Sequence, residues 1–335
     1  MKKVTRSGFL VLVAAALLQF VAPASAKEKV TFGYLADPSH DAVLWALRNG
    51  KVKSDLIEVE ATGLQIPALI QATAARTYDV IETAAMAIPR ARARGLDLLI
   101  MGAGLRYHSS GEGAGIWVKK DSPIKSIAGL KGKKLAVYSL GSAGITLVRI
   151  ALHDVYGLNV ALKGGDIDFV EMPAPAMPAA LATGKVDAAT LIHTQAFKAM
   201  QTDEFRAIAQ TGQDLSNKFK LRMVSAVLAG YAEKLNAKPD VYREFQRVVY
   251  ESMQYAQKHP DEVFPAVGKQ FNVDPEFFKV WFSRFSDFPV VLDDQDIKAI
   301  DLLWQKSKDL EILKAYPPVQ ETIWNKSLRT ADVSK

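Results

Sequence analysis

The segment richest in ligand-binding chemistry runs from Tyr138 to Thr146 and reads Tyr-Ser-Leu-Gly-Ser-Ala-Gly-Ile-Thr. Its apolar strand pattern ends at Ser139, and a helix is predicted to begin a few residues later with Ser142 as N-cap. The free N–H groups and the dipole of such a helix start attract an anion. Gly141 allows the backbone to approach a ligand closely, and the serines add hydroxyl donors. The segment therefore predicts either an anion-binding turn or an ordinary capped helix.

Three further clusters of polar residues follow predicted strands. They are Asp37-Pro38-Ser39-His40, Glu82-Thr83-Ala84-Ala85 and His193-Thr194-Gln195. In open α/β sheets the ligand crevice lies outside the carboxyl ends of the strands, so we expect these clusters at one cleft. The alternative for Ser39 and Thr83 is a plain N-cap of the helix that follows. The ligand-binding residues predicted here, with Tyr107 closing over the ligand from a connecting segment, are Asp37, Ser39, His40, Glu82, Thr83, Ala84, Tyr107, His193 and Thr194.

Sequence patterns of common catalytic sites are missing. The chain has no Gly-x-x-x-x-Gly-Lys-Ser/Thr, no His-Glu-x-x-His and no Gly-x-Ser-x-Gly. Its five histidines show no metal-ligand spacing on one helix face, and without cysteine there is no thiolate nucleophile and no zinc–thiolate site. We therefore expect no catalytic residues, no metal site and no cofactor.

Two other motifs receive structural interpretations. Arg90, Arg92 and Arg94 alternate with alanines on a predicted helix and are interpreted as an exposed basic face. Residues 111–115 are rich in glycine but precede a strand, whereas a phosphate cradle precedes a helix. A flexible connection is predicted for this glycine-rich segment.

The elements that would position these residues alternate between strand and helix patterns. Strands are predicted over 30–35, 57–61, 79–83 and 98–105, with helices over 42–48, 66–76 and 86–94 between them. The alternation begins again with strands over 115–119, 133–138, 168–172 and 188–192, and with helices that end near 156 and span 178–183. A strand over 221–231 precedes a mostly helical stretch from 239 onward. Such alternation predicts parallel βαβ units, here in two separate copies.

The first 26 residues have the marks of a signal peptide. Three positive charges precede an apolar run from Gly8 to Val21, and Ala24-Ser25-Ala26 supplies small residues for cleavage. We expect cleavage after Ala26 and a periplasmic mature chain. Losing three positive charges lowers the net charge from +6 to +3, which argues against a nucleic-acid partner.

The mature chain is longer than one hydrophobic core usually organises, so two lobes are expected. The predicted division is a signal peptide over 1–26, the first part of lobe I over 27–112, lobe II over 113–224, and the return strand with the helical C-terminal part of lobe I over 225–335. Extended segments at 103–118 and 224–231 would connect the lobes and allow closure around a solute. The predicted fold class is α/β, with two lobes around a ligand cleft.

Three segments resemble a known family. They are residues 66–72, residues 130–137 before the serine turn, and residues 179–189, which read Ala-Ala-Leu-Ala-Thr-Gly-Lys-Val-Asp-Ala-Ala. Over nearly all of the mature chain, the sequence resembles the solute-binding proteins of ABC importers for aliphatic sulfonates, taurine and nitrate, in the superfamily of thiamine-precursor binders. The resemblance implies the type II periplasmic-binding fold, with two α/β lobes, two hinge strands and a largely helical C-terminal part.

The resemblance also implies particular site residues. In sulfonate- and taurine-binding members, the matching strand–turn–helix forms part of the anion-binding wall. The residues matched here are Ser139, Gly141, Ser142 and Ala143. The loop that matches Glu82-Thr83-Ala84 also lines the pocket, but small or neutral residues are usual at the Glu82 position. A carboxylate there would either repel an anion or bind the ammonium group of a zwitterion such as taurine. His193 likewise stands where an aromatic or small residue is common.

The function implied is that of an extracytoplasmic solute-binding component of an ABC importer. Such a protein captures a small organic anion or zwitterion (a sulfonate, a taurine-like compound or a carboxylate) and delivers it to a permease driven by a cytoplasmic ATPase. It is expected to be a monomer and not an enzyme. Two alternatives stay open: a superfamily enzyme of pyrimidine or thiamine metabolism, and a periplasmic sensor that binds a protein partner.

Overall fold

The structure is a computed structural model that describes residues 26–333. The strands in this range are β1 (Glu28–Leu35), β2 (Ile57–Leu64), β3 (Val80–Ala84), β4 (Leu98–Tyr107), β5 (Gly115–Lys119), β6 (Lys133–Val137), β7 (Ile167–Glu171), β8 (Ala188–Ala189), β9 (Phe205–Gln210), β10 (Val224–Tyr231) and β11 (Ser286–Asp287). The predicted signal peptide lies outside the described residues except for Ala26 and stays a prediction.

The α-helices alternate with the strands and then dominate the C-terminal third. They are α1 (Pro38–Arg48), α2 (Ile66–Ala75), α3 (Ala87–Arg92), α4 (Ala143–Asp154), α5 (Met177–Ala182), α6 (His193–Gln201), α7 (Thr211–Phe219), α8 (Ala232–Ala237), α9 (Pro239–Lys258), α10 (Pro260–Phe271), α11 (Glu276–Val280), α12 (Asp294–Asp309) and α13 (Thr330–Val333). A π-helical turn over Trp281–Phe285 directly continues α11. Among the described residues, no helix is both long enough and apolar enough to cross a bilayer.

The first sheet has six strands in the order β11-β4-β10-β3-β1-β2. β1 pairs in parallel with β2 and β3, whereas β10 runs antiparallel to β3 and β4. Val30, Phe32 and Tyr34 of β1 are buried at alternate positions, as expected for a strand that packs one face on a core. This sheet holds the ends of β1, β3 and β4 next to one another.

The second sheet has five strands in the order β7-β6-β8-β5-β9. β6 pairs in parallel with β7 and β8, and β5 pairs antiparallel with β8 and β9. Residues 108–114 lead the chain from the first sheet into the second, and α7 leads it back to β10. Gly111 in the first crossing has a φ of +56° and packs against the backbone of Gly212 and Gln213, so a side chain there would meet the second crossing.

Two α/β sheets joined by two crossings are the architecture predicted from the alternating pattern. The predicted strands and helices of both halves are present, with ends that differ by a few residues. The exact lobe boundaries stay a prediction. α6, β9, α7 and the two-residue β11 were not predicted, because their segments show no clear strand or helix period.

The C-terminal helices pack on the first sheet and also reach the second lobe. α9 follows Pro239 at its first position and buries Val241, Phe245, Val248 and Val249 along one face, against α1. The Phe277 ring of α11 meets the Phe197 ring of α6 edge to face, with ring centres 5.7 Å apart. The helical C-terminal part thereby fixes how the two lobes meet.

Candidate ligand-binding site

A cavity lies where the strand ends of both sheets meet. Its walls come from the ends of β1, β3 and β4, the turn before α4, the start of α6, and the first residues of β10 and β11. Its free volume is about 80 Å³, several times the roughly 10–15 Å³ that one water molecule requires. A small solute fits this space.

The cavity brings together seven of the thirteen residues predicted for the site. The lining ones are Glu82, Thr83, Ala84, Tyr107, Ser142, Ala143 and His193. They come from both sheets, so residues far apart in sequence share one space. Their contact with a ligand stays a prediction.

The other six predicted residues do not line the cavity. They are Asp37, Ser39, His40, Ser139, Gly141 and Thr194. The first three form a hydrogen-bond network behind the wall, and Ser139 and Gly141 form the turn before α4. Thr194 follows His193 in the first turn of α6.

Most lining residues that sequence reasoning missed are apolar. The larger ones are Leu35, Ile66, Leu69, Ile70, Leu105 and Ile192. Apolar residues at strand ends and on a helix are typical of any core, so nothing in their pattern distinguishes a pocket. Ser225 and Ser286 also line the cavity, and Ser286 belongs to a strand too short to have a sequence period.

The Thr83 hydroxyl presents only acceptor positions to the cavity. Thr73 Oγ1 donates its single proton to the Leu69 carbonyl oxygen at 2.7 Å. The 2.8 Å hydrogen bond between Thr73 Oγ1 and Thr83 Oγ1 therefore takes its proton from Thr83. Thr83 has no proton left to donate to a ligand.

The Ser142 hydroxyl is occupied by helix capping. It donates to the Ser139 carbonyl oxygen at 2.8 Å and accepts from the Ile145 amide at 3.1 Å. The capped-helix alternative thus accounts for this side chain. The amides of Ala143 and Gly144, in the first turn of α4, have no hydrogen-bond partner within the described part of the chain.

Glu82 forms a buried ion pair with His40. Its Oε1 lies 3.0 Å from His40 Nε2, and its Oε2 accepts from the Leu35 amide at 2.9 Å. The side chains are 2% and 1% exposed, respectively. A buried carboxylate needs such partners, because an unpaired charge is costly away from water.

Hydrogen-bond geometry makes His40 an imidazolium. Ser39 Oγ donates its one proton to Asp37 Oδ1 at 2.5 Å, so it can only accept from His40 Nδ1 at 3.2 Å. His40 Nε2 faces the Glu82 carboxylate, so both ring nitrogens carry protons. Burial lowers the pKa of His40, but the charge of Glu82, with smaller contributions from Asp37, raises it above its ordinary value.

His193 connects the second lobe to the first lobe and to the C-terminal helices. The Trp281 indole N–H donates to His193 Nδ1 at 3.0 Å. Because an indole nitrogen can only donate, Nδ1 must accept, and the ring proton lies on Nε2. Nδ1 also lies 3.5 Å from Asp37 Oδ1, which is then a close approach without a shared proton. His193 has a φ of +47°, an uncommon value for a residue with a side chain.

Arg90 forms a second polar contact between the lobes. Its guanidinium donates to the Gly141 carbonyl oxygen at 2.6 Å, and it is half-buried. Burial, with the nearby charge of Arg94, lowers the pKa of Arg90 from its ordinary value. The interpretation of Arg90 as part of an exposed basic face is therefore wrong, because this side chain reaches across to the turn before α4.

Two tyrosines lie beside the start of α4. A Cβ added to Gly144 would lie 3.4 Å from the Tyr107 hydroxyl and well inside van der Waals distance of the Tyr138 hydroxyl. Burial raises the pKa of Tyr138 to about 12 and that of Tyr107 well above its usual range. Both phenols are therefore hydrogen-bond donors at neutral pH. Within residues 26–333, no group of three or more acidic or histidine side chains is placed to hold a metal ion.

Solved structures with the same fold include two proteins that are named as sulfonate-binding. The alkanesulfonate-binding protein SsuA from Xanthomonas axonopodis pv. citri, bound to MOPS, superposes with a TM-score of 0.71 and 18% identity, over 90% of this chain and 99% of that one. The periplasmic aliphatic sulphonate-binding protein SsuA from Escherichia coli superposes with a TM-score of 0.71 and 14% identity, over 91% of this chain and 94% of that one. The protein AF1704 from Archaeoglobus fulgidus superposes with a TM-score of 0.69 and 22% identity, over 85% of this chain and 98% of that one.

These comparisons confirm the predicted periplasmic-binding-protein fold. The sequence model of a family described as "Menaquinone biosynthesis" matches residues 30–309, and the chain belongs to this family. No curated protein sequence matches the chain. The family description names a biosynthetic route, and the sulfonate-binding structures share the fold with this chain.

Proposed function

We propose that the chain is the solute-binding component of an ABC importer, and that it acts outside the cytoplasm. The observation that carries this proposal is the cavity, whose wall combines Glu82 and Thr83 of one sheet with Ser142 and His193 of the other lobe. A solute held there contacts both lobes at once. Binding then favours the arrangement in which the lobes touch, because the ligand has more contacts in that state.

The lobes also touch each other directly around the cavity. Arg90 bonds Gly141, Trp281 bonds His193, and Lys306 of α12 pairs with Asp154 of α4 at 2.7 Å. Apolar contacts accompany them, such as the Phe277 ring of α11 against the Phe197 ring of α6.

The expected solute is a small organic anion or zwitterion. The names of the sulfonate-binding neighbours support an anion, and the free amides at the start of α4 suit one. The predicted signal peptide supports a periplasmic location, and the permease with its cytoplasmic ATPase would be the partner.

An enzyme that uses the same cavity is the second candidate. The family description favours it, and the buried Glu82–His40 pair in the wall is a charged group of the kind that can move protons. Following a bound solute by NMR over hours separates the two candidates. An unchanged solute supports transport, and conversion of the solute supports an enzyme.

Native mass spectrometry of the mature chain, freshly purified from an exported form, tests the proposal. We expect a fraction of molecules to carry one small solute. A thermal-shift panel of sulfonates, taurine, carboxylates, amino acids and nitrate follows. A true ligand at 100 times its Kd stabilises the folded state by about 2.7 kcal/mol. The absence of a retained solute together with no shift for any compound would contradict the proposal.

A further inference from the structure

The cavity has one polar end whose hydrogen-bond donors are free. Tyr107 is 7% exposed, and its hydroxyl has no hydrogen-bond partner among the described residues. This hydroxyl and that of Tyr138 flank Gly144, whose amide is also unpaired there, as is that of Ala143. Because Tyr107 lines the cavity, its hydroxyl can donate to an acceptor atom of a ligand there.

The donors come from different parts of the fold. Tyr107 ends β4 in the first sheet, whereas Tyr138 follows β6 in the second. An oxygen atom that accepts from both hydroxyls therefore links the two lobes. The absence of a side chain on Gly144 is what leaves room for the Tyr138 hydroxyl beside the helix start.

The rest of the cavity wall is largely apolar, with Glu82, Thr83, His193, Ser225 and Ser286 as its polar members. Leu35, Ile66, Leu69, Ile70 and Leu105 line it from the first lobe, and Ile192 from the second. Removing a hydrocarbon group of a ligand from water against these side chains lowers the free energy of the complex. The ligand should therefore have one oxygen-bearing end and one apolar body.

The charges in the wall limit the anions that fit. No lysine or arginine is among the lining residues that the structure describes. The one lining carboxylate, Glu82, is neutralised by His40 and by the Leu35 amide. A sulfonate keeps its charge at any ordinary pH, and here it would face only neutral donors, the phenols and the amides at the start of α4. A carboxyl group avoids part of the cost of burying a charge, because burial raises its pKa and allows it to bind with a proton.

We infer that the solute is a small carboxylic acid with a hydrocarbon body, whose carboxyl oxygens accept hydrogen bonds from Tyr107 and Tyr138 beside the start of α4. This inference rests on the proposed function and names the substrate class of the same cavity. The aliphatic or aromatic body packs on the leucine and isoleucine side chains.

Calorimetry of the mature chain with matched acids tests the substrate class. The probes are hexanoate with hexane-1-sulfonate, and benzoate with benzenesulfonate, at pH 7. We expect at least one carboxylate to bind about tenfold more tightly than the sulfonate with the same body, given the cost of an unpaired buried charge. Equal or tighter binding of the sulfonates overturns the inference and leaves the importer proposal intact.

Tyrosine variants test the assigned contacts. Tyr107→Phe and Tyr138→Phe should each weaken carboxylate binding about fivefold or more, since each removes one donor. Tyr255→Phe is the matched control, because its hydroxyl donates to Glu262 at the surface. If a phenylalanine variant does not fold, Gly144→Ala takes its place in the binding measurement. This variant places a methyl group against the Tyr138 hydroxyl. Unchanged affinity in the folded variants overturns the inference.

The inference is also tested if neither the carboxylates nor the sulfonates bind. If neither series binds while the panel or native mass spectrometry identifies another solute, the substrate class is wrong and the proposed function stands. If no compound binds and no solute is retained, the proposed function fails as well.

Discussion

The hydrogen bonds within the protein determine which side chains can still donate a proton to a ligand. Ser142 and Thr83 are hydroxyl residues at the site, yet their protons go to Ser139 and Thr73. The Tyr107 hydroxyl, in contrast, forms no hydrogen bond within the described part of the chain. Phenols, amides and the His193 Nε2–H are therefore donors at this site, whereas the Ser142 and Thr83 hydroxyls are not.

The charged state of His40 predicts how stability changes with pH. The groups around its ring are Glu82, Asp37, Asp41 and His193, together with the Trp281 and Phe288 rings. A raised native pKa stabilises the fold fully below the unfolded pKa of about 6.5, and this stabilisation is lost as the pH rises through the native value. We expect His40→Gln to lower the free energy of unfolding by about 3–5 kcal/mol near pH 6, and by less at alkaline pH.

Denaturant unfolding between pH 5.5 and 9 measures this difference. His259→Gln is the control, because this exposed histidine lies outside the cavity and at a helix junction. A His40→Gln effect that is constant over the whole pH range would contradict the assignment of His40 as an imidazolium.

At the scale of elements, α3 and the turn before α4 form a contact that crosses the cleft. Arg90→Ala removes the hydrogen bond to the Gly141 carbonyl, which exists only while the lobes touch. We expect solute dissociation to become about 3–10-fold faster, since a partly exposed charged hydrogen bond is lost, with a much smaller change in the association rate. Stopped-flow displacement measures both rates.

Arg94→Ala is the matched control for this prediction. Arg94 lies just beyond the end of α3 and is exposed. If the two variants release the solute at the same rate, Arg90 has no part in holding the lobes together.

Sequence patterns predicted the elements better than their contacts. The turn before α4 was predicted to within a residue, because a strand period, a glycine and an N-cap serine occur together there. Tyr138 belongs to the same quoted run but was not singled out, although its position directly after β6 was a usable signal. The Glu82–His40 pair joins residues 42 positions apart, and only tertiary packing shows that the two side chains meet.

The C-terminal third shows a different limit of sequence reasoning. Its helical character was predicted, but the π-helical turn that places Trp281 against His193 was not. The local sequence of aromatic residues suits an ordinary helix equally well, so it does not indicate a π-helical turn. The spacing of apolar residues in a segment indicates its secondary structure, whereas the residues that it contacts depend on the rest of the chain.

For the whole molecule, the central claim is that one small solute is held by both lobes at once. Hydrogen–deuterium exchange of the mature chain, with and without the solute found by native mass spectrometry, tests it most directly. We expect the solute to slow exchange together in residues 82–86, 138–146 and 192–197, which belong to both lobes. Protection confined to one lobe, or at a surface away from these segments, would contradict the account.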